Sequence, residues 1–218
     1  MRLLCPGPDI WVLTGPRHRW HTARPACDDV AAVEGLPPWR AMERLAGRAA
    51  LRELLCLAAP DLVASPLRAD RRGKPWLADH PEVGVSISHD GETVAAAVAL
   101  HVPVGVDVQH APRRPSEAML HRCLGRHLQS LGHLRPEERA RELAWVWSAQ
   151  EACVKATGSG LSGRPWSIDI PPSRGQGRWR EYKWVSFRDQ SETPLSCAFV
   201  DATASGPPSA ATAHVQKG

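Results

Sequence analysis

The 218-residue sequence predicts an α+β fold made of two similar halves. Three observations lead there. Two long helix-forming segments, 39–57 and 136–157, each follow a short apolar run and precede further strand-like runs. A strictly alternating segment at 83–88 is followed by apolar runs at 94–100 and 104–108, which reads as a small meander. The order strand, helix, strands thus occurs twice without any residue-level repeat, and it permits two subdomains with a ligand cleft between them.

Taken in order, residues 9–13 form a short apolar run that reads as a strand, and 14–38 is loop-like, rich in Pro, Arg and Asp. Segment 39–57 is dense in Arg, Ala, Met, Glu and Leu, strong helix formers, with Leu45, Arg48 and Arg52 at helical spacing. A turn at 71–75 precedes the alternating strand, in which Val83, Val85 and Ile87 share one face and Gly84, Ser86 and Ser88 the other. His89, Asp90 and Gly91 supply turn residues before the returning strand. The second helix has Pro136 in its first turn, and Gly158 and Gly160 end it. Segments 166–170, 182–187 and 195–200 read as strands. The expected division is 1–102 and 103–202, with a tail over 203–218 whose Ala, Ser, Pro and Gly content predicts disorder.

Composition narrows the function. No stretch approaches the roughly 18 apolar residues of a membrane helix, and residues 1–6 are too short for the apolar region of a signal peptide, so a cytoplasmic protein is expected. The six cysteines show neither a CxxC pair nor zinc-ligand spacing and read as reduced thiols, mostly buried. A net charge of +4 suits an anionic small molecule or an acidic protein partner as well as it suits nucleic acid. The nine tryptophans lie in apolar contexts and no nucleic-acid motif is present, which argues against a nucleic-acid-binding protein.

Three segments carry polar groups that a plain core would not need: Ser86-Ile87-Ser88-His89, Gly105-Val106-Asp107-Val108-Gln109, and the run from Trp147 to Lys155 that contains Gln150 and Glu151. Each also has an ordinary reading. Asp107, between Val106 and Val108, points to the opposite face of its strand and could simply meet solvent. Glu151 and Lys155 have the spacing of a surface ion pair. His89 suits a turn, and Arg44, Arg48 and Arg52 suit one solvated helix face.

In order and spacing, Gly73-Lys74-Pro75, SISH (86–89), GVDVQ (105–109) and WSAQEACVKATGSGL (147–161) together resemble the 4'-phosphopantetheinyl transferases of the surfactin-synthetase-activating type. The similarity runs from about residue 40 to 161, with weaker support to 200. It implies a pseudo-twofold α+β fold with a coenzyme A cleft between the halves. It implies that Asp107 and Glu151 hold Mg²⁺, that Lys155 faces the pyrophosphate, and that Lys74, Ser88 and His89 bind the nucleotide's phosphates. An arginine of the first helix, Arg44 or else Arg48, is implied at the 3'-phosphate. The implied partner is an apo acyl or peptidyl carrier protein of fatty-acid, polyketide or peptide synthesis, and the enzyme is expected to be a monomer.

The reaction needs such residues. A serine hydroxyl attacks the β-phosphorus of a pyrophosphate, so the site must gather negative charge and align groups. Two carboxylates, waters and phosphate oxygens suffice for Mg²⁺. Glu151 is the candidate base and Lys155 would balance charge on the leaving 3',5'-ADP.

Two positions depart from the pattern. Many members have Glu where this chain has Gln109 and Lys where it has Gln150. Gln109 still offers a carbonyl oxygen to a metal, or a water takes its place; either way one negative charge is lost. That loss is the one support for a rival reading, a silent homologue that binds coenzyme A or a carrier without transfer. Gln150 lies about 100° round the helix from Glu151 and is expected to affect local pairing. Arg113, Arg114, Arg122 and Arg126 form a basic region fit for an acidic carrier helix, and equally for a solvated face.

Overall fold

The computed structural model describes residues 1–21 and 25–201, so the expected tail over 203–218 lies outside the described residues. In chain order the elements are β1 (Arg2–Gly7), β2 (Ile10–Pro16), α1 (Cys27–Ala31), α2 (Pro38–Ala58), β3 (Leu67–Ala69), β4 (Pro75–Leu77), β5 (Gly84–Asp90) and β6 (Thr93–Ala99). Then follow β7 (Val104–Val108), α3 (Glu117–Leu124), α4 (Pro136–Thr157), β8 (Gln176–Trp179), β9 (Tyr182–Ser186) and β10 (Leu195–Val200).

Two four-stranded antiparallel sheets result, ordered β1-β2-β6-β5 and β7-β10-β9-β8, with β3 and β4 as a separate hairpin. Strand β6 shows how sequence sorts the layers. Its residues are nearly all buried, with Val94, Ala96 and Val98 packed among the α2 core with Leu51 and Leu54. Ala95, Ala97 and Ala99 face the other way, into a core shared with Val104, Val106, Leu195 and Cys197 of the second sheet. Small side chains on that face let the sheets approach closely. Helix α4 covers the far side of the second sheet through Leu143, Val146, Ala149 and Cys153.

The sheets also meet edge to edge. No backbone ladder joins β5 to β7; side chains bridge them instead. Ser86 Oγ accepts the Val106 N–H at 3.0 Å, Ser88 Oγ the Val108 N–H at 3.3 Å, and Asp90 Oδ2 the His110 N–H at 2.6 Å. Residues 86, 88 and 90 share one side of β5 because side chains alternate along a strand, so three rungs repeat with period two.

Several expectations need correction. Segment 166–170 is not a strand: a short 3-10 turn, Pro165–Ser167, begins it. Pro165 has no N–H for a ladder, and the Ile168 carbonyl accepts the Gln150 side-chain amide at 2.8 Å. Strand β1 was hidden by Pro6 at its end, and α1 by the polar composition around it. Cys5, Cys27 and Cys56 are exposed while Cys123, Cys153 and Cys197 are buried, so half the thiols, not most, are enclosed. Among the described residues no helix is long and apolar enough to cross a membrane.

Candidate active site

Gly105 is the point on which the site is built. A Cβ there would lie 2.1 Å from the Ala152 carbonyl oxygen and 2.4 Å from the Ala156 nitrogen, so only glycine lets α4 rest directly on β7. Asp107, two residues on, faces the same way and therefore meets α4 rather than solvent. It is buried. Its Oδ1 accepts the Ser88 hydroxyl at 2.8 Å and the Lys155 ammonium at 2.6 Å, and Lys155 Nζ also donates to Ser88 Oγ at 2.9 Å. Its Oδ2 is buried and has no hydrogen-bond partner among the described residues.

Glu151 stands one helical turn before Lys155. With Asp107 and Lys155 it lines a cavity of about 290 Å³ between the halves, shared with Ser88, His89, Asp90, Gln109 and Trp147. A second cavity of about 250 Å³ adjoins it through Ile87, Glu151 and Lys155 and reaches Arg72, Gly73 and Lys74. Burial raises the Asp107 carboxyl above the ordinary range, against the pull of Lys155 and Ser88. Burial, and then the charge of Asp107, likewise raise Glu151. Two carboxyls held up in this way make a place that favours a cation.

Lys74 sits where the β3–β4 hairpin meets the end of α4. Its Nζ donates to the carbonyls of Lys155 and Ala156, each at 2.7 Å, and burial lowers it to about 8. Asp70 Oδ1 accepts the N–H groups of Arg72 and Lys74 and so shapes the hairpin turn. His89 is exposed at the cavity rim. Lys74, Ser88, His89, Asp107, Gln109, Glu151 and Lys155 are thus brought to one cleft.

The helix arginines are not. Arg48 is buried, with Nε 2.5 Å from Asp29 Oδ1 and Nη2 2.7 Å from the Leu67 carbonyl. Arg52 donates to the carbonyls of Val63 and Ser65 and to Asp28. Burial works against the charge of Asp28, yet the Leu67 N–H and then Arg52 and Arg48 hold it below the ordinary carboxylate range. The expected solvated face is therefore a buried ion network tying α1 to α2, and Arg48 does not line the cleft. Arg44 is exposed and reaches the Ala32 carbonyl at 3.4 Å. A larger cavity of about 500 Å³ beside α2 is mainly apolar, and the Arg52 and Asp29 in its wall are already paired; the smaller cavities carry the chemistry.

Gln109 Nε2 donates to Asp90 Oδ2 at 2.9 Å. Asp90, a turn residue by its sequence context, instead lies on the serine side of β5, and its place two residues beyond Ser88 is the signal for that. Gln150 donates to the carbonyls of Cys123 and Ile168, at 2.9 and 2.8 Å, and bolts α3 and the 165–168 turn to α4. In the basic region, the Arg122 guanidinium lies 3.9 Å over the Trp166 ring and Arg126 pairs with Asp169. Arg113 and Arg114 are exposed.

The sequence match that decides the family lies over this same ground. Residues 103–212, about half the chain, match the model of the 4'-phosphopantetheinyl transferase superfamily. The chain belongs to that superfamily. The match begins just before Gly105 and takes in Asp107, Gln109, Glu151 and Lys155, while Lys74, Ser88 and His89 precede it. Within the transferase superfamily, the chain is similar to a Synechocystis sp. (strain ATCC 27184 / PCC 6803 / Kazusa) protein named "Putative 4'-phosphopantetheinyl transferase". The two are 30% identical over 96 residues, 42% of this chain and 39% of the relative's length.

Proposed function

We propose that this chain transfers the 4'-phosphopantetheine arm of coenzyme A to a serine hydroxyl of an apo acyl or peptidyl carrier protein, with Mg²⁺, and releases 3',5'-ADP. The observation that carries the reading is Asp107: a buried carboxylate with one oxygen hydrogen-bonded to Lys155 and Ser88 and the other without a partner among the described residues, beside Glu151 at a cavity. A buried acceptor without a partner is costly, and a hard divalent cation suits an oxygen donor set of this kind. When bound, Mg²⁺ would supply charge neutralisation of the pyrophosphate oxygens.

The chain's own groups do the rest. Asp107 and Glu151 would hold the ion, with Gln109 as the third position of the family pattern. Glu151, whose carboxyl is raised by burial and by the charge of Asp107, takes the serine proton. Lys155, already within reach of Ser88 and Asp107, places its ammonium toward the departing 3',5'-ADP. Lys74 and His89 bind phosphates at the far side, with Arg44, exposed on α2, for the 3'-phosphate. The surfactin-synthetase-activating type and a pseudo-twofold relation belong to the same proposal. Their support is that β2-β6-β5 and β7-β10-β9 have equivalent orders around α2 and α4.

The test is mass spectrometry of several apo carriers incubated with coenzyme A and Mg²⁺. A pantetheine-sized gain on one of them is expected; no gain on any carrier would overturn the assignment.

A further inference from the structure

Ser88 and His89 are neighbours in the chain with opposite placements. Alternation along β5 leaves His89 exposed at the cavity rim and Ser88 buried. The family resemblance implies both at the nucleotide's phosphates. An ionised phosphate only accepts hydrogen bonds, so what a serine can offer it is its single O–H. In Ser88 that O–H is donated to Asp107 Oδ1 at 2.8 Å. The two lone pairs of the same oxygen are also taken, by the Lys155 ammonium at 2.9 Å and the Val108 N–H at 3.3 Å. One hydroxyl thus ties β5, β7 and α4 together, with its hydrogen-bonding capacity filled.

Lys155 gains most from this arrangement. Its ammonium stands on a flexible four-carbon stem, and Ser88 Oγ at 2.9 Å with Asp107 Oδ1 at 2.6 Å holds it at two points. One of its three N–H groups remains for an anion. Ser86, two residues earlier on the same side of β5, supplies an internal comparison. It accepts the Val106 N–H at 3.0 Å as a rung of the same kind, and among the described residues it has no hydrogen bond to Asp107, Glu151 or Lys155.

We infer that Ser88 is a positioning residue: it holds the Lys155 ammonium and Asp107 Oδ1 against each other and binds no phosphate itself. The inference rests on the transferase reading above and separates two adjacent residues by role. His89 stands at the rim for the nucleotide, and Ser88 acts on the chemical step through Lys155 and Asp107. Holding reacting groups in place lowers a barrier without adding affinity for the substrate.

The test combines kinetics with a readout that needs no turnover. With the carrier that gains pantetheine, Ser88→Ala should lower kcat about 10- to 100-fold, the scale of a misplaced group, and leave the KM for coenzyme A within about twofold of wild type. Ser86→Ala loses only a rung and should keep kcat within about threefold. The second readout is exchange with water of the Lys155 ammonium protons, followed by ¹H–¹⁵N NMR on the full chain without coenzyme A and assigned by loss of the signal in Lys155→Arg. Ser88→Ala should speed that exchange about fivefold, the factor that one hydrogen bond of ordinary net strength represents, and Ser86→Ala should not change it. Thermal melts establish that each variant folds. A raised KM with kcat kept would make Ser88 a phosphate ligand and overturn the inference, as would unchanged exchange in Ser88→Ala. Equal losses of kcat in the two serine variants would also overturn it, since both would then act through the sheet junction. Wild-type protein that transfers to no carrier fails the transferase reading instead, and the exchange rate alone then decides whether Ser88 fixes Lys155. Should Ser88→Ala not fold, Ser88→Cys, with a weak donor and acceptor of similar size, takes its place with the same expectations.

Discussion

The Lys74 ammonium lies 2.7 Å from the backbone carbonyl oxygen of Lys155, so a hairpin of the first half caps the last turn of the second half's helix. A cation at a helix C-terminus is favourably placed, and two of its three N–H groups are taken there, leaving one for an anion. Burial brings Lys74 down to about 8, so it loses its charge near that pH. If it binds a phosphate of coenzyme A, the KM for coenzyme A should rise above about pH 8 with kcat nearly constant. Lys74→Arg should flatten the profile, and Lys74→Ala should raise KM at every pH. For stability the sign reverses. Between about 8 and the ordinary 10.5 the unfolded chain keeps the proton and the folded one does not, so stability rises with pH across that window. Steady-state kinetics and thermal melts against pH read both effects.

Asp107→Ala and Glu151→Ala should each raise the barrier to transfer by about 3 kcal/mol or more, as removal of a key electrostatic group does. Asp107→Asn adds a sharper contrast. Because burial raises its folded carboxyl value, the folded state holds an extra proton just above the ordinary carboxylate range, and stability falls as pH rises through that interval. The asparagine variant should lose that slope and melt at or above wild type near neutral pH while transfer collapses. Transfer within tenfold of wild type would remove Asp107 from the site.

Gly105→Ala tests whether α4 positions the site. Its Cβ would meet backbone of Ala152 and Ala156, which cannot rotate away. We expect a loss of about 1–3 kcal/mol in denaturant unfolding, as overpacking costs, and a fall in kcat beyond what the unfolded fraction explains.

Arg48→Ala should cost about 1–3 kcal/mol, since it removes the closer partner of the buried Asp29 and leaves it only the longer contact to Arg52 and the Ala26 N–H. The protein that remains folded should keep its KM for coenzyme A. Arg44→Ala should do the opposite, raising KM with stability unchanged. A shared KM effect would place both arginines on the nucleotide.

These two arginines show where the sequence was readable and where it was not. Helix α2 was legible, since propensity and periodicity act within one segment. Whether Arg48 meets water or Asp29 depends on α1, which lies in a stretch without pattern. The same division applies to Asp107: alternation along β7 gave its face correctly, but whether that face meets solvent or α4 depends on a helix some thirty residues later in the chain. The segment 166–170 looked like a strand because Trp166, Ile168 and Ile170 alternate; they are apolar because they pack near α4, not because they pair. Asp90 was legible only as a turn residue, since its hydrogen bonds to the His110 N–H and the Gln109 amide depend on a strand brought beside it by folding.

Gln109→Glu alone should be a conflicted variant. It would set two carboxylates at hydrogen-bond distance in the metal-free protein, at a cost of about 1 kcal/mol. Its melting temperature in EDTA should therefore drop below wild type, and Mg²⁺ should raise it by more than it raises wild type. Equal responses to Mg²⁺ would mean the side chain at 109 turns away from the ion.

The serine and aspartate rungs between β5 and β7 bear on how the chain could be divided. The first sheet uses strands up to Ala99 and the second begins at Val104, so a break within residues 100–103 severs no sheet hydrogen bonds. Two separately made fragments would each carry a whole sheet and its long helix. Their recognition would then be written in three side chains, a buried Ala and Val surface and the Lys74 cap, which makes reassembly an engineerable, two-component switch for the activity proposed for the cleft.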